Sequence, residues 1–589
     1  MFIKVTKSGA RRYAQLVESF RNDEGQPRQR TICTLGRLEP GGDVDTLIAS
    51  LRRAQGHEGA HSELRVNSLD GLRFIDSRSA GDVWAPSQLW RSLGFDELAG
   101  AWRRSKVEHD VLACLRTMVL NRLCDPSSKL GVLRWLDTVA LPTGFGFAEE
   151  LPTHQQLLRA MDVLDDHSEA IGERLAGLMR PLIDQDLSVV FYDLTTVQAE
   201  AEAESVVTDD VRAFGRGKSG LVERQFMLSL VQTAEGLPIA HEVHAGNAAE
   251  AKTLLPMITS LLARYPLKRV VLVADRGLLS VANLDALGAL QATLRAQGRE
   301  VAVDYILAVP ASRYGDFAEA LDAMAGQQPA SAPWVGETQW TAPDGGAGPS
   351  GAGTTTRRLV VAHDPEAAAR RTRQRQASID DLIALGQQWS GKLDQQDAGM
   401  RGKGKPLSDS GAKARFYHAV RDASLAHVVK VDLKAQMFTY TVDEERQRYL
   451  ELLDGKLLLV TSTDAPAAEV VQRYKSLADI ERGFRVLKSD IEIGPVYHRL
   501  PRRIRAHSLI CFMALILYRV MCMRLKASGR EESPTRLLEL LRRVQQQTVR
   551  TADGQTLSGL TELVPAQKSL FAALNLPLPA PADLVKHSL

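Results

Sequence analysis

Val189-Val190-Phe191-Tyr192-Asp193-Leu194-Thr195-Thr196 is an apolar run broken by a single acid. β-Branched and aromatic residues dominate it, so residues 187–194 read as a buried strand. A second run, Val270-Val271-Leu272-Val273-Ala274-Asp275, closes on an acid in the same way. An ionised carboxylate in such a strand is costly unless it is paired or bound to a cation. Arg276 follows Asp275 directly and so points to the other side of a strand, and neither acid has a basic neighbour on its own face. A divalent metal is the simplest partner. Magnesium is commonly held by a few carboxylate oxygens, with its other positions left to water and phosphate.

Working outward, residues 225–233 and 237–245 read as two further strands joined by the tight link Ala234-Glu235-Gly236. Asn247 and Glu250 make a capping-box-like helix start, although Pro256 must kink that helix or mark its true beginning. After the strand 269–275, Ser280 opens a helix with Val281, Leu284, Leu287, Leu290 and Leu294 on one side, and 303–309 gives a fifth strand. The order is β-β-β-α-β-α-β. Upstream, strands at 13–21 and 29–35 flank a turn-like Asn22-Asp23-Glu24-Gly25, and 85–180 has helical spacing. Downstream, 327–356 is rich in Gly, Pro, Ala and Thr and reads as a mobile surface loop. A basic helical piece with Arg370, Arg371, Arg373 and Arg375 follows, then strands within 428–442 and at 457–460.

At 589 residues the chain needs several domains. With 73 basic and 71 acidic residues, overall charge selects no partner, so a nucleic-acid surface must be local. Five cysteines, at 33, 114, 124, 511 and 522, form no CxxC pair, which fits a reduced cytoplasm. Residues 1–5 lack the apolar core of a signal peptide. The apolar stretch 509–523 is too short to span a bilayer and contains Arg519, so it reads as a core helix. The expected location is cytoplasmic, associated with the nucleoid.

The third acid is identified by its helix. Tyr474, Leu477, Glu481, Arg485 and Lys488 fall at offsets 0, 3, 7, 11 and 14, one face at helical period, beside an apolar stripe of Ile480, Phe484, Leu487 and Ile491. Asp479 lies on nearly the opposite face, and Asp490 and Glu492 lie beyond the pattern. Asp193, Asp275 and Glu481 together could hold two magnesium ions roughly 3.5 to 4 Å apart for phosphodiester chemistry. Arg485, Lys488, Arg499, Arg502, Arg503 and Arg505 supply a basic surface beside them.

Blander readings stand next to these. Asp193 could cap a turn into Thr195 and Thr196, Asp275 could cap the next helix, Glu481 could be a solvated acid, and Tyr474 could be core. Gly217-Lys218-Ser219 resembles the end of a phosphate loop but fails, because Arg212 stands where Gly is needed. His241 and His244 face opposite ways in a strand and are poor joint metal ligands. Trp334 and Trp340 could stack on a flipped base but more simply pin a loop.

Tyr474-x2-Leu477-x3-Glu481-x6-Lys488 resembles the Y-x2-R-x3-E-x6-K helix of bacterial insertion-sequence transposases of the DDE class, with Leu477 in place of the pattern's Arg. Tyr192-Asp193-Leu194-Thr195-Thr196, Phe214-Gly215-Arg216-Gly217-Lys218, Gly246-Asn247, Ala274-Asp275-Arg276-Gly277, Pro495-Val496-Tyr497-His498 and Arg503-Ile504-x2-His507 are similar to family segments in the same order. The N-terminal hairpin ending in Leu35-Gly36-Arg37 is similar too.

The resemblance implies an α/β fold with a ribonuclease-H-like catalytic core, a mixed five-stranded sheet with flanking helices, interrupted by a β-containing insertion. It implies a small β module at 1–65, a helical module for DNA binding or dimerisation at 66–183, the core at 184–312 and 465–525, the insertion with its mobile loop at 313–464, and a tail at 526–589. The implied activity is metal-dependent cleavage at element ends and strand transfer. Asp193, Asp275 and Glu481 would bind two Mg²⁺ ions, with Mn²⁺ as substitute. Tyr474, Arg485, Lys488, Arg499, Arg502, Arg503 and Lys218 would contact DNA. The implied partners are double-stranded DNA, namely terminal inverted repeats and target, and a second copy of the chain; no membrane is implied. Two rivals are a haloacid-dehalogenase-like phosphotransferase with Asp193 as nucleophile, against which the antiparallel-looking second and third strands count, and a non-catalytic DNA-binding relative.

Overall fold

The computed structural model describes residues 2–8, 11–21, 27–37, 72–105, 109–147, 150–183, 188–200, 209–216, 222–248, 252–274, 281–325, 332–341, 356–400 and 406–585. The turn at 22–25, Gly217 to Ser219, Glu250, 275–280 and the Gly-rich 342–355 lie outside them. The chain divides into two compact units, Met1–Phe74 with Val549–Leu557 and Ile75–Thr548 with Ser558–Leu589.

In the first unit, β1 (Phe2–Ser8), β2 (Arg11–Arg21) and β3 (Pro27–Arg37) form an antiparallel meander with β2 in the centre. Ala14 and Val17 of β2 are buried, whereas Ile3, Val5 and Ile32 are exposed. The strand β4 (Arg73–Ser79) crosses the division between units.

The second unit begins with helices: α1 (Gly81–Ser92), α2 (Val111–Cys124), α3 (Lys129–Leu136), α4 (His154–Asp166) and α5 (Ser168–Met179). Their starts are chemically marked. Asp110 accepts from the Ala113 amide, Ser128 from that of Gly131, and Thr153 forms a reciprocal capping box with Gln156. Helix α2 is buried almost all round, and Arg116, Thr117, Asn121 and Arg122 are buried along with its apolar residues.

A nine-stranded mixed sheet follows. Its first nine elements are β5 (Ser188–Gln198), β6 (Ala213–Arg216), β7 (Val222–Thr233), β8 (Pro238–Ala245), α6 (Leu254–Arg264), β9 (Arg269–Ala274), α7 (Val281–Ala296), β10 (Ala302–Ala308) and α8 (Ala318–Ala325). Strand β8 is antiparallel to β7 and β7 to β5, whereas β5, β9 and β10 are mutually parallel neighbours. Pro256 is the third residue of α6, so it marks the first turn of the helix, where its missing N–H leaves no hydrogen bond unmade.

The 327–356 segment departs from the reading as loop. Trp334–Thr341 is β11, and it pairs antiparallel with β12 (Thr356–His363). Its burial alternates residue by residue, a period-2 signal that the surrounding Gly, Pro and Ala content obscures. Trp340 is buried, stacks on Phe317 with ring centroids 4.4 Å apart, and donates from its indole N–H to the Asp316 carbonyl. Strand β12 then pairs with a later strand, to which β10 also adds, so this hairpin extends the main sheet.

Between them, α9 (Pro365–Asp397), α10 (Asp409–Asp422), the ribbon β13 (Val429–Val431) with β14 (Tyr440–Val442), and α11 (Glu444–Leu453) build a separate small core around Ile379, Leu382, Phe416, Val428 and Phe438. The chain returns to the sheet as β15 (Lys456–Thr461). It continues into α12 (Ala467–Lys475), α13 (Ala478–Ser489) and the long α14 (Pro501–Ala527).

Helix α14 is apolar, mostly buried and packed against α2, α4 and β8, as a core helix is. The two faces of the sheet are cleanly separated. Phe191, Val271, Val273, Ile306, Ala308, Val360 and Leu459 share one layer with Val470, Val471 and Leu477 of the α12 region. Val190, Tyr192, Val270, Leu272, Ala274, Leu307, Val361 and Leu458 enter the main core on the other side. Burying such side chains contributes about 1.5–3 kcal/mol each, enough to fix the register of every strand.

Candidate active site and its basic surroundings

Register places the first acid. The parallel ladder between β5 and β9 runs from Ser188↔Val270 to Tyr192↔Ala274, and the next residue on β5 is Asp193. The residue after Ala274 is Asp275, which lies outside the described residues. Across the antiparallel edge, Asp193 faces Leu230 and Phe191 faces Gln232. Side chains alternate along a strand, so Asp193 shares the face of Phe191, the face covered by Leu477 and Val470. The carboxylate is half-buried, and its Oδ1 accepts from the Leu194 amide at 2.7 Å.

Two further polar groups line that face of β5 and β7. Thr195, two residues beyond Asp193, is buried with its Oγ1 lacking a hydrogen-bond partner among the described residues. Gln232 is fully buried, and neither its Nε2 nor its Oε1 finds a partner there. Buried polar groups are almost always satisfied, so unpaired atoms beside a carboxylate mark a place built for something else to bind.

The third acid sits on a helix that is not continuous with Tyr474. Helix α12 ends at Lys475, Ser476 and Leu477 form a turn in which the Leu477 amide bonds the Tyr474 carbonyl at 2.9 Å, and α13 begins at Ala478. The single helical face expected from Tyr474 to Lys488 is therefore split in two. Leu477, 8% exposed, packs with Phe191, Val271 and Val273, and this contact is the physical reason for an apolar residue at that position.

Glu481 lies in α13, and its side chain is outside the described residues. Two residues on, a Cβ added at Gly483 would meet Gln232 Nε2 at 2.5 Å, so glycine lets α13 approach β7 closely. Gln232 is in turn the pairing partner of Phe191, two residues before Asp193. The chain thus brings α13 over the sheet beside the strand that carries Asp193, and α13 contacts β5 directly. Among the described residues no group of three His, Cys, Asp or Glu side chains could hold a metal. The oxygen-only donor set of Asp193, Asp275 and Glu481, next to the unpaired Thr195 hydroxyl, suits a hard divalent cation.

The remaining candidates are dispersed around this edge. Tyr474 is half-buried and packs on the Phe191 and Leu477 layer. Arg485 and Lys488 are exposed on α13, and Arg499 is exposed before α14. Arg503 forms a two-pronged ion pair with Asp162, Nε and Nη2 each at 2.8 Å, while Arg502 Nη2 lies 2.9 Å from the same carboxylate. Arg505 grips Asp165 at 2.9 Å. One carboxylate cannot neutralise two guanidinium groups, so the Arg502–Arg503 pair retains positive charge. Lys218 lies outside the described residues.

The two strand histidines do part ways. His241 stacks on Phe512 at 4.3 Å, and burial pulls its pKa down to about 3. His244 Nε2 lies 2.9 Å from Ser229 Oγ. The antiparallel pairing of β5, β7 and β8 also counts against the phosphotransferase alternative.

Residue reading missed Arg122 and Lys129. Both are buried cations on the first helices; Arg122 reaches the segment after α13, and Lys129 reaches His507 in α14. Their sequence context, Asn121-Arg122-Leu123 and Ser128-Lys129-Leu130, carries no motif that would single them out.

Comparison with known proteins gives two family matches. Residues 3–63 match the IS1634 family transposase N-terminal domain, and residues 184–517 match the transposase DDE domain, the latter spanning more than half of the 589 residues. No curated protein matches. Among solved structures, a piggyBac transposase synaptic complex with hairpin DNA aligns at 8% identity and a TM-score of 0.36, over 78% of this chain and 75% of that one.

Proposed function

The chain belongs to the transposase DDE-domain family, and as a DDE transposase of the insertion-sequence type it acts on DNA; we propose that Asp193, Asp275 and Glu481 are the joint ligands of the divalent cations its chemistry needs, Mg²⁺ first and Mn²⁺ as substitute. The observation that carries this reading is the register of β5 and β9, whose parallel ladder stops one residue short of both aspartates. The strand order β8-β7-β5-β9-β10, antiparallel on one side of β5 and parallel on the other, supports a ribonuclease-H-like core as its frame.

When bound, two such ions activate the attacking oxygen and stabilise charge on the leaving oxygen of an in-line displacement. The chain's own part is positional. Phe191 and Leu477 fix β5 against the α12–α13 turn, Gly483 admits α13 to the sheet, and Asp193 stands where the apolar layer ends. First, water attacks a phosphodiester at each element end; a P–O bond forms, the bond to the 3′ oxygen breaks, and that oxygen leaves as a hydroxyl. That hydroxyl then attacks a target phosphodiester, exchanging one P–O bond for another. Tyr474, Arg485, Lys488, Arg499, Arg502, Arg503 and Lys218 position the DNA, and two copies of the chain pair the two ends. The setting is the cytoplasm, at the nucleoid.

The test is cleavage of supercoiled DNA carrying the inverted repeats that flank the gene, with Mg²⁺, comparing the natural protein with Glu481→Gln. The reading predicts metal-dependent nicking that disappears in the variant. Nicking that survives the substitution rejects the assignment of the site.

A further inference from the structure

A cavity of about 680 Å³ opens beside the segment that links α13 to α14. Its lining includes Arg122, Lys129, His154, His498, Arg503 and His507, and Glu492 is the one acid among the lining residues. Lys129 and Arg122 are each only 5% exposed. His507 Nε2 donates to the Ile493 carbonyl at 2.9 Å, so its Nδ1 carries the lone pair that accepts from Lys129 Nζ at 3.4 Å. An ammonium has three N–H donors, and among the described residues no other acceptor lies within hydrogen-bond distance of Lys129 Nζ. Arg122 holds the Ile491 and Glu492 carbonyls and that of Ser127, yet its Nε is buried without a partner among the described residues. The His498 ring stands 5.7 Å from that of His507.

We propose that this cavity receives one backbone phosphate of the bound DNA end, gripped by Lys129 and Arg122 from the helical segment and by His498 from the segment after α13. The proposal rests on the reading of the chain as an enzyme acting at element ends. Buried cations gathered without a balancing carboxylate are a cost to the fold that a phosphate offsets through charge-assisted hydrogen bonds. The electrostatics agree: burial, with Arg122 adding to it, pulls Lys129 down to about 7, and burial with Lys129 and Arg503 pulls His498 down to about 3.

Location favours DNA over a free anion. Val496 bridges the end of β5, its amide donating to the Gln198 carbonyl and its carbonyl accepting from Glu200, both at 2.9 Å. Gln198 is five residues from Asp193, roughly 16 Å at about 3.3 Å per strand residue. That is the span of about five base-pair steps at roughly 3.4 Å each. For a duplex lying along β5, the phosphate in the cavity is about five steps from the one that is cut.

The test uses the full chain and a duplex of the flanking inverted repeat with single methylphosphonates placed in turn at each phosphate. The natural protein should lose roughly tenfold in affinity at one position, about five steps from the cleaved junction. Lys129→Met should bind the unmodified duplex roughly tenfold more weakly, show no further loss at that position, and lower the slope of log affinity against log salt by about one. It should also melt no lower than the natural protein, because an unbalanced buried charge is gone.

His498→Gln, at a half-buried position, should likewise bind more weakly and show no further loss at that phosphate, with the salt slope unchanged because the ring is neutral, and serves if the first variant does not fold. Identical methylphosphonate profiles for natural and variant proteins overturn the proposal. So does a variant that loses only the thermal stabilisation given by millimolar inorganic phosphate while keeping its DNA affinity, which would make this a free-anion site. None of these readings needs cleavage, so failure of the catalytic assignment, seen as nicking by Glu481→Gln, is a separate result.

Discussion

The edge of the sheet at Asp193 and the cavity at Lys129 are built on opposite electrostatic plans. At the edge, a half-buried carboxylate adjoins unpaired neutral groups, Thr195 and Gln232, on an otherwise apolar face. In the cavity, buried cations crowd together with scarcely an acid among them. The first arrangement suits cations and the second suits phosphate, so on the proposed reading one strand, β5, connects the cutting site with the site that holds the DNA. The difference teaches how to tell catalysis from grip in this fold: changes at the edge should alter chemistry and leave binding, and changes in the cavity should do the reverse.

The largest expected effect breaks the edge. Asp193→Asn removes a proposed metal ligand and should reduce nicking at least about 10³-fold, since ion-mediated stabilisation is worth several kcal/mol, with duplex affinity close to that of the natural protein. Parallel cleavage and gel-shift measurements check both halves. A variant that loses binding and nicking together would erase the contrast with the cavity. The Lys129→Met experiment, with its roughly tenfold loss of affinity, is the complementary break.

Next in size is the contact that seats α13. Gly483→Val must push its Cβ into the Gln232 side chain, and overpacking of this kind costs about 1–3 kcal/mol. A thermal melt should fall by several degrees, and nicking should fall further than stability alone explains, because α13 carries Glu481. A variant with unchanged melting would mean that Gln232 swings aside freely.

The remaining effect is a pH dependence of stability that falls in two separate windows. Lys129 titrates at about 7 in the fold against 10.5 outside it, so between those values the unfolded chain holds the extra proton. Stability should rise with pH through that window by up to about 1.4 kcal/mol per unit, and fall as pH drops towards 7. His241 and His498, depressed to about 3 from 6.5, add stability that is present above 6.5 and lost as pH falls through 3. Denaturant midpoints measured across pH should show the alkaline slope vanish in Lys129→Met and the acid slope remain.

Much of the sheet was legible because strands buried on both faces are nearly continuous apolar runs, and β5, β7, β8, β9 and β10 lie within a few residues of their expected bounds. The hairpin β11–β12 was hidden by its setting: Trp334 to Trp340 alternates, but Gly, Pro and Ala on either side dominate the composition. Periodicity gave the α12–α13 stretch as one helix because Ser476 and Leu477 keep near-helical dihedrals, and only the tightened bond of Leu477 to Tyr474 reveals the break. Lys129 and Arg122 were not legible. Their meaning depends on the segment after α13 and on His507 of α14, hundreds of residues away, and no local pattern records that meeting.

The account turns on shared ligation, and Mn²⁺ titration of the full chain followed by electron paramagnetic resonance tests it most directly. The natural protein should take up two ions whose spins couple, as a pair roughly 3.5 to 4 Å apart must, and Asp193→Asn, Asp275→Asn and Glu481→Gln should each abolish the coupled signal. A coupled pair that persists in any one of these variants would contradict the account.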